Sequence, residues 1–112
     1  MKISVNNAPY FAWGDDCHGW WLKKNGDFTV IFESMPKDTS EIAHFHEYSE
    51  QFFYVIEGEL VIEVETVQHR LKKQESIIIA PKMVHRVFND SDCIVKFLVV
   101  SCPDSHQDRV NI

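Results

Sequence analysis

No stretch of this 112-residue chain keeps a helical period with capping residues at its ends. In its place runs a succession of about eight short apolar segments, each closed by a turn signal. Trp20–Lys24, Phe28–Met35, Glu41–His46, Phe52–Glu57, Leu60–Val67, Ser76–Ala80, Val84–Phe88 and Ile94–Ser101 are rich in Val, Ile, Phe and Tyr, which fit a pleated, half-buried surface. The breaks between them carry turn chemistry: Asn25-Gly26-Asp27, Pro36-Lys37-Asp38, Glu57-Gly58, Ala80-Pro81 and Asn89-Asp90-Ser91-Asp92. Short strands at this spacing predict an all-β fold, a sandwich or jelly-roll barrel. Residues 1–17, broken by Pro9 and Gly14, read as an irregular lead-in, and 102–112 as a polar tail. Residues 1–112 together read as one domain.

The strand reading gives meaning to His44-Phe45-His46. On a strand, residues i and i+2 point to the same face. In a helix the two imidazoles would diverge by about 200°. Period-two counting along the next segment places Gln51, Phe53 and Val55 on one face and Phe52, Tyr54 and Ile56 on the other. If Gln51 faces inward, its carbonyl oxygen can approach the two imidazoles, and His85 opens another strand after the Ala80-Pro81 turn. Imidazoles joined by one oxygen donor suit a divalent transition metal such as Fe, Mn, Ni, Zn or Cu. The sequence predicts inward polar groups with a purpose, because buried polar groups without partners are costly.

Charge and composition exclude several other roles. A formal net charge of −6 with no basic cluster argues against nucleic acid and against anionic membranes as partners. The longest basic run, Arg70-Leu71-Lys72-Lys73, reads as a solvated strand end. No segment has the roughly 18–20 apolar residues of a membrane-spanning helix, and the first residues lack the apolar run of a signal peptide. Cys17, Cys93 and Cys102 are odd in number and lack C-x-x-C spacing. Free thiols and a cytoplasmic setting are the expectation.

Two spaced motifs resemble those of small single-domain cupins. The family's first motif, G-x5-H-x-H-x3,4-E-x6-G, is matched by Asp38, His44, His46, Gln51 and Gly58. Its second, G-x5-P-x-G-x2-H-x3-N, is matched by Gln74, Ala80, Lys82, His85 and Asn89. Three motif glycines are thus replaced, by Asp38, Gln74 and Lys82, a proline by Ala80, and the usual Glu ligand by Gln51. The resemblance implies a double-stranded β-helix, or jelly-roll barrel, holding one divalent metal ion through His44, His46, Gln51 and His85. Gln51 is preferred to Glu50 because it keeps the family's spacing to Gly58, and Glu50 should point the opposite way. A neutral amide leaves the ion's charge uncompensated, which favours an anionic ligand.

The resemblance also implies a small-molecule ligand or substrate and a homodimer. The activity implied is that of a metal-dependent enzyme on a small oxygenated metabolite, isomerase-, lyase- or dioxygenase-like. A non-catalytic sugar- or metabolite-binding role is the alternative. Phe53, Trp20 and Phe97 are the pocket candidates, Phe45 and Tyr54 are expected to face outward, and Glu33, Glu50 or a metal-bound water are the candidate proton carriers, among which the sequence does not select. Ser105–Arg109 is expected to be a solvated end, or else to fold across the barrel mouth or onto a partner chain.

Overall fold

The computed structural model describes all residues 1–112 and contains strands but no helix. No helix is therefore long and apolar enough to cross a membrane. The strands are β1 (Tyr10–Trp13), β2 (Cys17–Lys24), β3 (Thr29–Met35), β4 (Thr39–Ser40), β5 (His44–His46), β6 (Glu50–Glu57), β7 (Leu60–Val64), β8 (Val67–Leu71), β9 (Ser76–Ile79), β10 (His85–Asn89), β11 (Val95–Cys102) and β12 (Arg109–Asn111). They form two antiparallel sheets. One runs in the order β1-β2-β3-β11-β6-β9, and the other in the order β12-β5-β10-β7-β8 with β4 added beside β10. The all-β barrel expected from the turn spacing is the fold observed.

The two inner faces supply the core. Met35, Phe53, Val55 and Phe97 from the first sheet meet Leu60, Ile62 and Val87 from the second. Period two drives this, since along β6 the buried positions are Gln51, Phe53 and Val55, as the alternation requires. Phe97 is fully buried, and truncating such a ring costs about 3–5 kcal/mol. Asn89 is also buried, but its amide donates to the Met35 and Cys93 carbonyls while its oxygen accepts from Ser91. Every polar atom of that side chain is satisfied, so it staples the loop before β11 to the core.

The structure corrects the sequence reading in four places. Leu60–Val67 is not one strand, because the chain reverses at Glu65-Thr66, both at positive φ (48° and 72°), into a β7–β8 hairpin. The turn was hidden because neither residue is Gly, Asn or Asp, the usual occupants of such turns. Of Glu41–His46 only His44–His46 is strand, β5; residues 41–43 are irregular, and the short β4 precedes them. The irregular lead-in contains β1, paired with β2, and the polar tail contains β12, paired with β5.

The replaced glycines keep a glycine-like backbone. Asp38, Gln74 and Lys82 all sit in the left-handed region, with φ of 61°, 68° and 71°. The reason lies in what their amides do. Asp38 N–H donates to Asn89 O, Gln74 N–H to Val55 O and Lys82 N–H to His46 O, at 2.9, 2.8 and 2.7 Å. Each turn is seated on a barrel strand by the amide of its left-handed residue. A left-handed L-residue costs roughly 1–2 kcal/mol. Gly58, at φ 86°, has no such latitude, since a Cβ there would lie 2.7 Å from Ile94 O.

Candidate metal centre and its cavity

β5 and β10 are neighbours, and their register puts His85 directly opposite His44. His46, two residues along β5, shares the face of His44. All three rings are buried, at 2–4 % exposure. Their ring centroids lie 4.4, 5.0 and 5.8 Å apart. One ligand atom from each falls within 4.8 Å of the others.

The outer nitrogen of each ring is already engaged. His44 Nδ1 lies 2.8 Å from Ile42 O, His85 Nδ1 2.9 Å from Met83 O, and His46 Nδ1 2.8 Å from Asp108 Oδ1. A carbonyl oxygen only accepts, so Nδ1 of His44 and His85 carries the proton and donates it. In the neutral ring this leaves Nε2 bare. Burial keeps the rings neutral: it depresses His44 to about 3 and His85 to about 4. His46 is also lowered by burial, against the opposing pull of Asp108.

Gln51 completes the cluster. Its Nε2 donates to Ser101 Oγ at 3.0 Å, and its Oε1 lies 3.0 Å from His85 Nε2. Two acceptors thus face each other inside the protein with no proton between them, which is unfavourable without a cation. The opposite amide orientation would donate to His85 and satisfy the site without one. The donor set of three imidazoles and an amide oxygen fits a divalent transition ion. Glu50 is exposed and faces away, as the alternation predicts.

A cavity of about 460 Å³ opens from this cluster, within the size range of small-molecule sites. His44 and His46 of the second sheet and Gln51 and Phe53 of the first line it, and Phe11, Trp21 and Ile31 add apolar wall from β1, β2 and β3. Two carboxyl groups face the same space. Glu41 Oε1 accepts from Val87 N–H at 3.1 Å and lies 4.0 Å from His44 Nδ1. Burial raises Glu41 to about 7, against Arg109 and the Val87 amide. Burial and then the neighbouring Glu41 raise Glu33 to about 8.

Of the three pocket residues expected from sequence, Phe53 lines the cavity. Trp20 does not, because Cys17, Gly19 and Trp21 are the inward positions of β2 while Trp20 packs outside against Tyr10 and Phe32. Phe97 lies beneath Phe53, ring centroids 6.1 Å apart, as core rather than wall. Phe11 went unforeseen because β1 was read as irregular. Its signal was Gly19, directly opposite: a Cβ there would fall 2.2 Å from the Phe11 ring. The absent side chain is the space in which that ring lies.

The tail supplies the remaining wall. Ser105, His106 and Arg109 line the cavity. Asp108 takes the His46 ring on Oδ1 and accepts from the Tyr48 and Ser49 amides on Oδ2, both at 2.9 Å. Partial burial opposes ionisation of this carboxyl. The two amides and His46 prevail and hold it below the usual carboxylate value. A charged carboxylate behind an imidazole fixes its tautomer and orientation.

Comparison with known proteins agrees with this architecture. The Cupin domain family matches residues 30–101. An uncharacterized protein of Methanocaldococcus jannaschii, MJ1618, is 31% identical over 75 residues, 66% of this chain, and the chain spans 60% of that relative's length. Among solved structures, the polyketide cyclase RemF of Streptomyces resistomycificus superposes with a TM-score of 0.85 at 17% identity, over 100% of this chain and 84% of that one. The Streptomyces nucleoside dehydratase Pac13 superposes with a TM-score of 0.82 at 16% identity, over 100% and 90% of the two chains.

Proposed function

Because the chain belongs to the cupin family, we propose that it is a metal-dependent enzyme acting on a small oxygenated metabolite, with His44, His46, His85 and Gln51 as the ligands. The observation that carries this reading is the meeting of His85 Nε2 and Gln51 Oε1 at 3.0 Å beside two further bare imidazole nitrogens. A bound divalent ion would supply Lewis acidity, polarising a carbonyl or carboxylate oxygen. The chain's own residues would do the rest. Asp108 holds His46 in one tautomer, Phe11, Trp21 and Phe53 exclude water from the substrate's body, and Glu33 is placed to hold or release a proton at the cavity wall. Isomerisation or elimination next to a carbonyl fits this arrangement, and the neutral Gln51 suits it better than it suits oxygen activation. That RemF is a polyketide cyclase and Pac13 a nucleoside dehydratase supports small-molecule chemistry in such a barrel.

The test is elemental analysis of protein purified without chelators, with Gln51→Glu and Glu50→Gln alongside. We expect close to one ion per chain, and a change of metal preference in Gln51→Glu alone. Metal-free protein, or a larger change in Glu50→Gln, defeats the ligand assignment. Turnover separates the enzyme from the binding module. A binder of sugars or metabolites would retain its ligand in deuterated water without exchanging the hydrogens beside its carbonyl.

We also propose that the chain pairs with a second copy through the outer face of the first sheet. Sheets of this kind usually turn a polar face to water. Here Trp20, Phe32, Leu98 and Tyr54 run side by side across four strands in register, with Val30, Val100, Phe52 and Ile78 as the next row. Light scattering should give twice the chain mass, and Leu98→Glu should halve it. A wild-type monomer at micromolar concentration would refute the pairing.

A further inference from the structure

We infer that the substrate is a planar organic acid whose oxyanion, carboxylate or phosphate, is held by Arg109 with Lys24, beside the histidine cluster rather than on it; Arg109 stands directly opposite His46 in the β12–β5 register. The inference rests on the site proposed above and names the class of molecule that fills it. Lys24, His106 and Arg109 line the cavity in a chain whose net charge is −6. Arg109 and Lys24 come from opposite ends of the sequence, on β12 and β2, and belong to different sheets. The fold thus brings two cations to one opening in a molecule with few to spare.

The guanidinium is held in place yet largely uncommitted. Arg109 Nε donates to Asn111 Oδ1 at 2.8 Å, which fixes its plane. Its two terminal nitrogens make only long contacts, 3.5 Å to Ile42 O and 3.9 Å to Glu41 Oε2. The terminal N–H groups not turned toward Ile42 O and Glu41 remain available, in the planar fork that takes a carboxylate or phosphate with parallel bonds. Lys24 lies with Nζ 4.5 Å from the Trp21 ring centroid. His106 meets the same indole edge-on, at 5.5 Å between centroids.

The same wall selects a flat body. Trp21, Phe11 and Phe53 present rings to the cavity, with Phe11 and Trp21 5.5 Å apart. Rings and conjugated acids gain from such surfaces, whereas flexible hydroxylated chains lose water there without equal return. The two acidic residues of the cavity do not repel such a ligand. Glu41 sits beside Arg109, and Glu33, with its affinity for protons raised, is largely a neutral donor at pH 7.

The experiment is a tryptophan-fluorescence titration with salicylate, its neutral amide salicylamide, and phenyl phosphate. It is run on the protein as purified and after chelation, for the wild type, Arg109→Gln, Lys24→Gln and, as a control on β8, Arg70→Gln. Loss of a hydrogen-bonded charge partner is worth about tenfold or more in affinity. The expectation is that wild type prefers an acid over salicylamide by about this factor. Arg109→Gln should abolish the preference, Lys24→Gln should weaken it, and Arg70→Gln should leave it intact. Whichever of salicylate and phenyl phosphate binds more tightly identifies the oxyanion.

Equal binding of acid and amide overturns the inference, and so does a preference that survives in Arg109→Gln or falls equally in Arg70→Gln. A preference that is present in chelated wild type and lost in Arg109→Gln supports the inference even if the purified protein holds no metal. The two readings therefore fail separately.

Discussion

Two of the three clustered histidines are held by the backbone that leads into their own strands, and the third by a residue 62 positions away. His44 and His85 each donate Nδ1–H to the carbonyl two residues before them, Ile42 and Met83. That bond follows from local backbone geometry and comes with the strand. His46 instead leans on Asp108, whose other oxygen is tied to Tyr48 and Ser49. The difference is one of dependence. His44 and His85 are in place wherever β5 and β10 pair, while His46 is braced only when the C-terminal tail is docked.

Deleting a ligand and deleting its brace should separate these two modes. His85→Ala removes a donor outright, and its loss of metal affinity should exceed the roughly 10–100-fold typical of changes behind a ligand. Asp108→Ala should fall inside that 10–100-fold range. It should also destabilise the β5–β6 bend by about 1–3 kcal/mol, since two amides lose their acceptor. Metal titration and chemical unfolding of both variants are the measurements. Equal losses from both would show that the tail is as much a part of the centre as the ligands are.

Acid should resolve the same contrast more finely. All three folded values lie below the ordinary 6.5, so the unfolded chain takes up protons first. In metal-free protein, the histidines' share of the stability should therefore be flat above about pH 6.5, fall as the pH drops below it, and level off beneath about 4 for His85 and about 3 for His44. Glu41 and Glu33, raised to about 7 and about 8, act oppositely and cost stability as the pH rises toward those values. Asp108 opposes the lowering of His46 alone. Titration of the ring protons by NMR should show His46 charging before His44 and His85, and Asp108→Asn should bring it down toward them. A His46 that titrates last would mean that Asp108 is not the partner that matters in solution.

The contrast also explains what the sequence could tell. His44, His46, Gln51 and His85 were legible because period two and motif spacing are local properties of strands, and Gln51 and Phe53 were placed inward by the same count. The sequence does not distinguish Trp20 from Trp21, which lines the wall, because both are apolar and only the partner strand decides which faces in. Asp108 and Arg109 were undistinguished polar residues in a tail, made functional by pairing with β5. The Glu65-Thr66 reversal escaped for a related reason, as its backbone is imposed by β7 and β8 rather than by turn-forming residues. What depends on neighbours near in sequence could be read, and what depends on distant strands could not.

Lys82 carries this logic to the smallest expected effect. Its amide donates to His46 O at 2.7 Å, so its left-handed turn buttresses the tail-dependent histidine as well. Gln74 makes the corresponding bond to Val55, far from the cluster. Glycine at either position removes a strain of roughly 1–2 kcal/mol but returns about 0.5–1 kcal/mol of flexibility to the unfolded chain. Lys82→Gly and Gln74→Gly should therefore each stabilise the fold by about 0.5–1 kcal/mol in urea unfolding. They should differ in a second readout. If the Lys82 turn positions His46, relieving its strain should sharpen metal binding slightly, whereas Gln74→Gly should leave metal affinity untouched. A gain in affinity from Gln74→Gly would show that general stiffening of the barrel, rather than this contact, governs the centre.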